Sequence, residues 1–231
     1  MKRFYKDARA IPLEGGFGVA LDDKPIKTPL KASLVVPTPG FAQAIAQEWA
    51  GQTEVIARDA MRLTRLACTA LDRACRERDA LLDELAGYAG SDLLCYRAAA
   101  PARLTERQAK AWDPWLDWAA QTHGATLEVG AGIRPIEQPR DSIARLRDAA
   151  AALDDFRLVA AHLATGASGS LVLALALIAG RLEAEAAFQA SQIDESFQIE
   201  QWGTDAEFEA RRAALRADLD AAALTVKLLG A

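Results

Sequence analysis

The side chains with the widest chemical reach in this chain are two histidines, three cysteines and a few adjacent carboxylates. His162 lies among Val159, Ala161 and Leu163. An imidazole beside a carboxylate is a general acid–base pair, but in so apolar a stretch it is also an ordinary structural group held by one hydrogen bond. His123 precedes Gly124, where an imidazole can cap the carbonyls of a helix end. Cys68, Cys75 and Cys95 are odd in number and lack Cys-x-x-Cys spacing, which reads as free thiols in a reducing compartment. Neither histidine stands at ligand spacing from a cysteine, so no metal site is expected. The adjacent pairs Asp22-Asp23 and Asp154-Asp155 suit turns and helix starts better than a two-carboxylate catalytic site. Residues 165–170, Thr-Gly-Ala-Ser-Gly-Ser, lead into a helix as a phosphate cradle does, without the lysine that would reach the phosphates. Nucleophile-elbow, zincin and P-loop motifs do not occur. The expectation is a protein that is not an enzyme and carries no cofactor. The rival is a small enzyme using His162 and a carboxylate.

The most unusual pattern falls on a helix expected over 183–202. At about 100° per residue, Ala186, Gln189, Ile193 and Phe197 share one stripe, a core-facing seam. Phe188, Ile199 and Trp202 fall near the opposite side with Glu195 and Gln198. Such a helix is either sandwiched between two layers or half-buried with a face kept for a partner. A carboxylate and an amide among large apolar groups are costly in a closed core unless paired, whereas an interface commonly sets a tryptophan anchor beside directional polar groups. The candidate partner-binding residues are Glu195, Gln198, Trp202, Phe188, Ile199 and Asp205, together with Trp49, which follows Glu48 in a run ending at Gln52 and suits the rim of a groove. Trp112, Trp115 and Trp118 read as core.

Those residues need a scaffold, and the chain predicts one in two parts. Over 1–38, Phe17, Val19 and Leu21 alternate with smaller residues, Asp22-Asp23-Lys24-Pro25 supplies a turn, and Ile26 and 34–36 suit further short strands. A sheet this small is not stable alone and must pack on the helices C-terminal to it. From 39 to 231 the signals are helical. Thr38 caps a helix carrying Phe41, Ile45 and Trp49, and a second run covers 61–75. Thr105 and Gln108 form a capping-box pattern before a helix that Asp113-Pro114 kinks or divides. A short extended insert is expected near 125–137, where Thr126 to Val129 and the segment from Ile133 read as strands. The fold class is therefore α+β: a small N-terminal antiparallel β domain followed by a larger, mostly α-helical domain.

Bulk properties bound the function. A hydrophobic share of 51% and a charged share of 26% are those of a globular chain, and a net charge of −5 gives no footprint for nucleic acid. The N-terminus shows no signal-peptide pattern, and the longest apolar run, nine residues from Leu171, falls short of the roughly 20 that a spanning helix needs. No membrane insertion is expected. The compartment expected is the bacterial cytoplasm, or the mitochondrial matrix for eukaryotic relatives.

Arg3-Phe4-Tyr5, then Leu21-Asp22-Asp23 and Lys27-Thr28-Pro29, Glu48-Trp49 with Gln52, and Met61 with Leu63-Thr64 form a series of short blocks. It continues through residues 91–97, Trp112-Asp113-Pro114, Trp118-Ala119, Gly169-Ser170-Leu171, and Asp194-Glu195 to Asp205. Each block is weakly specific. Their ordered set resembles the mitochondrial and α-proteobacterial chaperones that assemble the catalytic head of F-type ATP synthase. The resemblance implies that the chain, a monomer when free, binds the unassembled α subunit and shields its subunit interface until a β subunit replaces it, without nucleotide hydrolysis. It implies a functional acidic position at Glu195 and a matching tryptophan at Trp49. Arg62 stands where the family pattern has proline, which puts the backbone before Leu63 in question. A helical scaffold for some other partner is the remaining alternative.

Overall fold

The computed structural model describes residues 1–132 and 134–230. They form two compact units, one of residues 1–78, 155–160 and 224–230, the other of 79–154 and 161–223.

In the first unit, β1 (Ala8–Leu13) and β2 (Gly16–Leu21) pair antiparallel, from Ala8 opposite Leu21 to Leu13 opposite Gly16, and β3 (Lys24–Pro25) adds to β2. Asp22 makes the second turn at φ 52°, its carboxylate accepting from the Lys6 and Asp7 amides at 3.0 Å each. Those two amides hold its pKa below the usual carboxylate range. Gly18 is required by space, since a Cβ there would stand 2.4 Å from Leu13 Cδ1 and 2.8 Å from the Leu34 carbonyl oxygen. Residues 34–36 do not form the further strand expected. Val36 makes only an isolated bridge to Phe17, because Pro37 removes the next ladder donor.

The sheet covers its apolar face with α1 (Pro39–Ala50), which packs on β1 and β2. Thr38 caps this helix as expected, accepting from the Phe41 amide at 3.1 Å. Val19, Leu34, Phe41 and Ile45 are fully buried beneath it, and the Phe41 ring meets Phe156 edge-on at 5.8 Å. The run expected over 61–75 is α2 (Arg62–Thr69) followed by a π-helical turn, Ala70–Ala74.

The second unit contains most of α3 (Arg78–Gly90), the short β4 (Tyr96–Arg97), α4 (Ala102–His123), β5 (Gly130–Ala131) and α5 (Arg140–Ala151). It also takes the C-terminal part of α6 (Asp155–Ser168), then α7 (Leu171–Ile178), α8 (Ala184–Ser191), α9 (Ile193–Trp202) and most of α10 (Ala206–Leu229). Every residue of α7 is buried, which suits a helix apolar all round, and α4, α5 and α8 pack on it. Ser170 caps it, accepting from the Leu173 amide at 3.1 Å, so the serine-glycine run has a structural duty.

Two local expectations are corrected here, and one alternative is decided. At Pro114 the alternative of a second helix is the one that falls, since α4 passes through it as one element. The capping box does not form: Thr105 donates to the Ala98 carbonyl at 3.0 Å, and Gln108 accepts from the Ala98 amide at 2.8 Å. In the extended insert, the strand is not Thr126 to Val129 but β5, which pairs parallel with β4. The Gln138 side chain instead bonds both the N–H and the C=O of Glu128, at 2.8 and 2.9 Å, as a neighbouring strand would. Ile133 lies outside the described residues. Among those described, no helix is long and apolar enough to cross a membrane.

Candidate functional site

The single helix expected over 183–202 is two helices. Gln192 leaves the helical region at φ −116°, ψ 26°, and α9 restarts from it with the Ser196 amide donating to its carbonyl at 2.9 Å. Arg212 of α10 donates to the Gln192 side chain at 3.3 Å and to Ser196 Oγ at 3.3 Å, so the break is fixed from outside the segment.

The break corrects one candidate. Phe188, expected beside Trp202, is only 3% exposed, and the guanidinium groups of Arg216 and Arg212 lie 4.5 and 5.2 Å from its ring centroid. It packs within the chain and offers no surface.

Two sides of α9 are tied down. Toward α4, Gln108 donates to Asp194 at 2.6 Å, Arg107 donates to Glu200 at 2.6 Å, and Arg107 covers the Phe197 ring at 5.6 Å. Toward α10, Ser196 is held by Arg212. Behind this, Trp112 is fully buried and donates from Nε1 to the Ala190 carbonyl at 2.8 Å, fixing the end of α8.

What remains of α9 is Glu195, Gln198, Ile199 and Trp202, which span an arc of about 100° at helical spacing. Gln198 is exposed, Glu195 and Ile199 are half-buried, and Trp202 is 79% exposed, the largest exposure among the large apolar residues. None of the four side chains makes a hydrogen bond or ion pair with another described residue. Gly203 ends the helix at φ 77°, ψ −168°, a conformation open essentially to glycine alone. Asp205 then caps α10, accepting from the Phe208 amide at 2.8 Å. A shallow groove runs along Gln198, Ile199, Trp202, Asp205 and Phe208. Phe208 escaped sequence reading, although its place three residues after an aspartate cap marks it as part of the same turn.

Trp49 belongs to the first unit. It is half-buried and meets Tyr5 edge-on at 5.7 Å, while its carbonyl accepts from the Tyr5 hydroxyl at 2.7 Å. Its indole Nε1 is shut off from solvent with no acceptor among the described residues, an arrangement that costs about 1–3 kcal/mol. The preceding Glu48 has a structural task. Its carboxylate accepts from the amides of Leu63 and Thr64 at 2.7 and 2.8 Å and caps α2, whose own N-cap residue, Met61, makes no side-chain capping bond. Burial raises its pKa against the pull of those bonds. Arg62 is the first helical residue of α2, a position where proline also fits, so the departure from the family pattern leaves the backbone helical.

The carboxylate that the rival enzyme reading sets beside His162 is present. His162 Nε2 and Glu84 Oε2 lie 2.7 Å apart as a pair on the second unit's surface. His123 packs edge-on against Trp118 at 5.0 Å, and burial lowers its pKa. Cys95 is buried and Cys68 half-buried, with thiols pushed up by burial to about 12 and about 11, while Cys75 is exposed. Among the described residues, no three His, Cys, Asp or Glu side chains are grouped to hold a metal ion.

An α+β chain that ties down two sides of a helix and leaves an aromatic and polar third side uncovered has the build of a protein-binding protein. The family model for the ATP12 chaperone protein matches residues 2–120, and the chain belongs to that family of ATP synthase assembly chaperones. It is similar to the crystal structure of Atp12 from Paracoccus denitrificans, with 42% identity over 99% of this chain and 98% of that one and a TM-score of 0.89. A point mutant of the Paracoccus Atp12p matches at 41% identity over 99% and 97%, with a TM-score of 0.88. The Atu1473 protein from Agrobacterium tumefaciens, described as a candidate chaperone, matches at 39% identity over 99% and 86%, with a TM-score of 0.91.

Proposed function

We propose that the chain binds the unassembled α subunit of the F-type ATP synthase head and shields its subunit interface until the β subunit takes its place. The observation that carries this reading is the 79% exposure of Trp202 beside half-buried Ile199 and beside Glu195 and Gln198, whose polar groups bond no other described residue. Trp202 and Ile199 supply burial. Glu195 and Gln198 meet polar groups or a basic residue of the client. Asp205, already holding the start of α10, places Phe208 at the far wall of the groove.

Exchange follows from the size of such a surface. A patch centred on one short helix makes a modest interface that a better-matched β subunit displaces by competition, without nucleotide hydrolysis. The free chain acts as a monomer, in the bacterial cytoplasm.

Co-purification with isolated α subunit tests the reading. Glu195→Lys is expected to abolish recovery of the complex and to lower the yield of assembled head. Full recovery with this variant would place the client elsewhere.

A further inference from the structure

The first unit holds a second surface that the α9 face does not use. A cleft of about 380 Å³ lies between the segment after β3, the end of α1 and the start of α2. Its apolar wall is formed by Ile26, Leu34, Met61 and the Trp49 ring. On its border stand Lys27, Arg58 and Arg65, all exposed, none in an ion pair with a described residue, and no acidic residue lines it. In a chain of net charge −5 this is a cationic rim, with the Asp72 and Glu48 carboxylates bonded to Thr28 and Thr64 behind it.

Two other polar side chains of the cleft, Thr28 and Thr64, are already spent. Thr28 donates to Asp72 at 2.7 Å, Thr64 donates to Glu48 at 2.7 Å, and the Asp72 carboxylate also accepts from the Leu30 amide at 3.0 Å. Pockets that fix a small molecule converge several buried polar groups on it. Here the recognition elements are three separate surface cations, the Thr69 hydroxyl and an apolar wall, with the unsatisfied Trp49 indole N–H closed to solvent behind it.

We infer that this cleft docks an extended polypeptide segment in which acidic side chains alternate with large apolar ones. Apolar side chains lie against Met61 and Trp49, and carboxylates meet Lys27, Arg58 and Arg65. An oxygen of the segment accepts from Trp49 Nε1 after a small rotation of the ring exposes it. The inference rests on the chaperone reading only in taking the occupant to be protein, and its test uses no α subunit, so the two stand or fall separately.

The experiment is an NMR titration of the full chain labelled with ¹⁵N at its tryptophan indoles, the Trp49 signal being assigned with Trp49→Phe. The probes are an acetylated hexapeptide alternating leucine and glutamate, its leucine–lysine counterpart, glutarate, and anionic phospholipid vesicles, with the soluble probes taken to millimolar concentration. The acidic peptide is expected to move the Trp49 indole signal in a saturable way, and the affinity to fall at least tenfold with added salt and in the double variant R58E/R65E. Both arginines are exposed, and a circular dichroism spectrum confirms that the variant folds. An unmoved Trp49 signal, an equal response to the lysine peptide, or no loss in the double variant overturns the proposal. So does an equal response to glutarate or to vesicles, which would make the cleft an anion or membrane site.

Discussion

Glu48 and Thr64 are joined twice, the carboxylate accepting from the threonine amide at 2.8 Å and from its hydroxyl at 2.7 Å. With the further bond from the Leu63 amide, a side chain near the end of α1 does the work that an N-cap residue would do for α2. Glu48→Ala is therefore expected to cost about 1–2 kcal/mol, the range for loss of a cap. Glu48→Gln, which keeps one acceptor, is expected to cost less. Urea unfolding of the two variants at neutral pH checks the order.

Trp112 is the largest fully buried side chain and also the clamp on the end of α8. Trp112→Ala is expected to remove about 3–5 kcal/mol of stability. Trp112→Phe should lose less, since it fills much of the space and forfeits only the bond to Ala190. Because α8 leads directly into α9, the alanine variant should also lose client binding in proportion to its unfolded fraction, readable by thermal melts beside pull-downs.

Asp92 is fully buried, accepting from the amides of Leu94 and Val172 at 3.1 and 3.2 Å, yet burial outweighs these bonds and pushes its pKa up to about 6. An unfolded aspartate titrates near about 3.9, so the folded state holds this proton more tightly. The contribution is fully present below the unfolded pKa and is lost as pH rises through about 6. Wild-type stability is expected to carry a downward step of about 2–3 kcal/mol between roughly pH 4 and 7 from this group. Asp92→Asn should remove the step. Unfolding free energies of both proteins across that range decide the matter, and parallel curves would show that Asp92 does not titrate there.

Local chemistry made part of this legible. The alternation before Asp22, the Thr38 cap and the serine-glycine start of α7 each act within a few residues, where the chain itself encodes the outcome. The break at Gln192 left no such mark. Neither glycine nor proline stands there, and the bonds that hold it come from Arg212, 20 residues away. Its consequence was the misplacement of Phe188, because a single turn of misregistered helix changes which residues share a face. Gln108 shows the same limit. Three residues after Thr105 it reads as a cap, but its amide reaches Asp194 on α9 instead. Trp202 and Gln198 remain on one uncovered arc because they lie on the same side of the break.

The central claim is best tested by the dissociation constant for isolated α subunit of Trp202→Ala, measured beside its melting temperature. Trp202 is 79% exposed, so its truncation is expected to leave the melting temperature unchanged. Loss of an interface anchor is expected to weaken binding by about 10- to 100-fold, or about 1.4–2.8 kcal/mol. Wild-type affinity in a variant of unchanged stability would contradict the assignment of the α9 face as the client-binding surface.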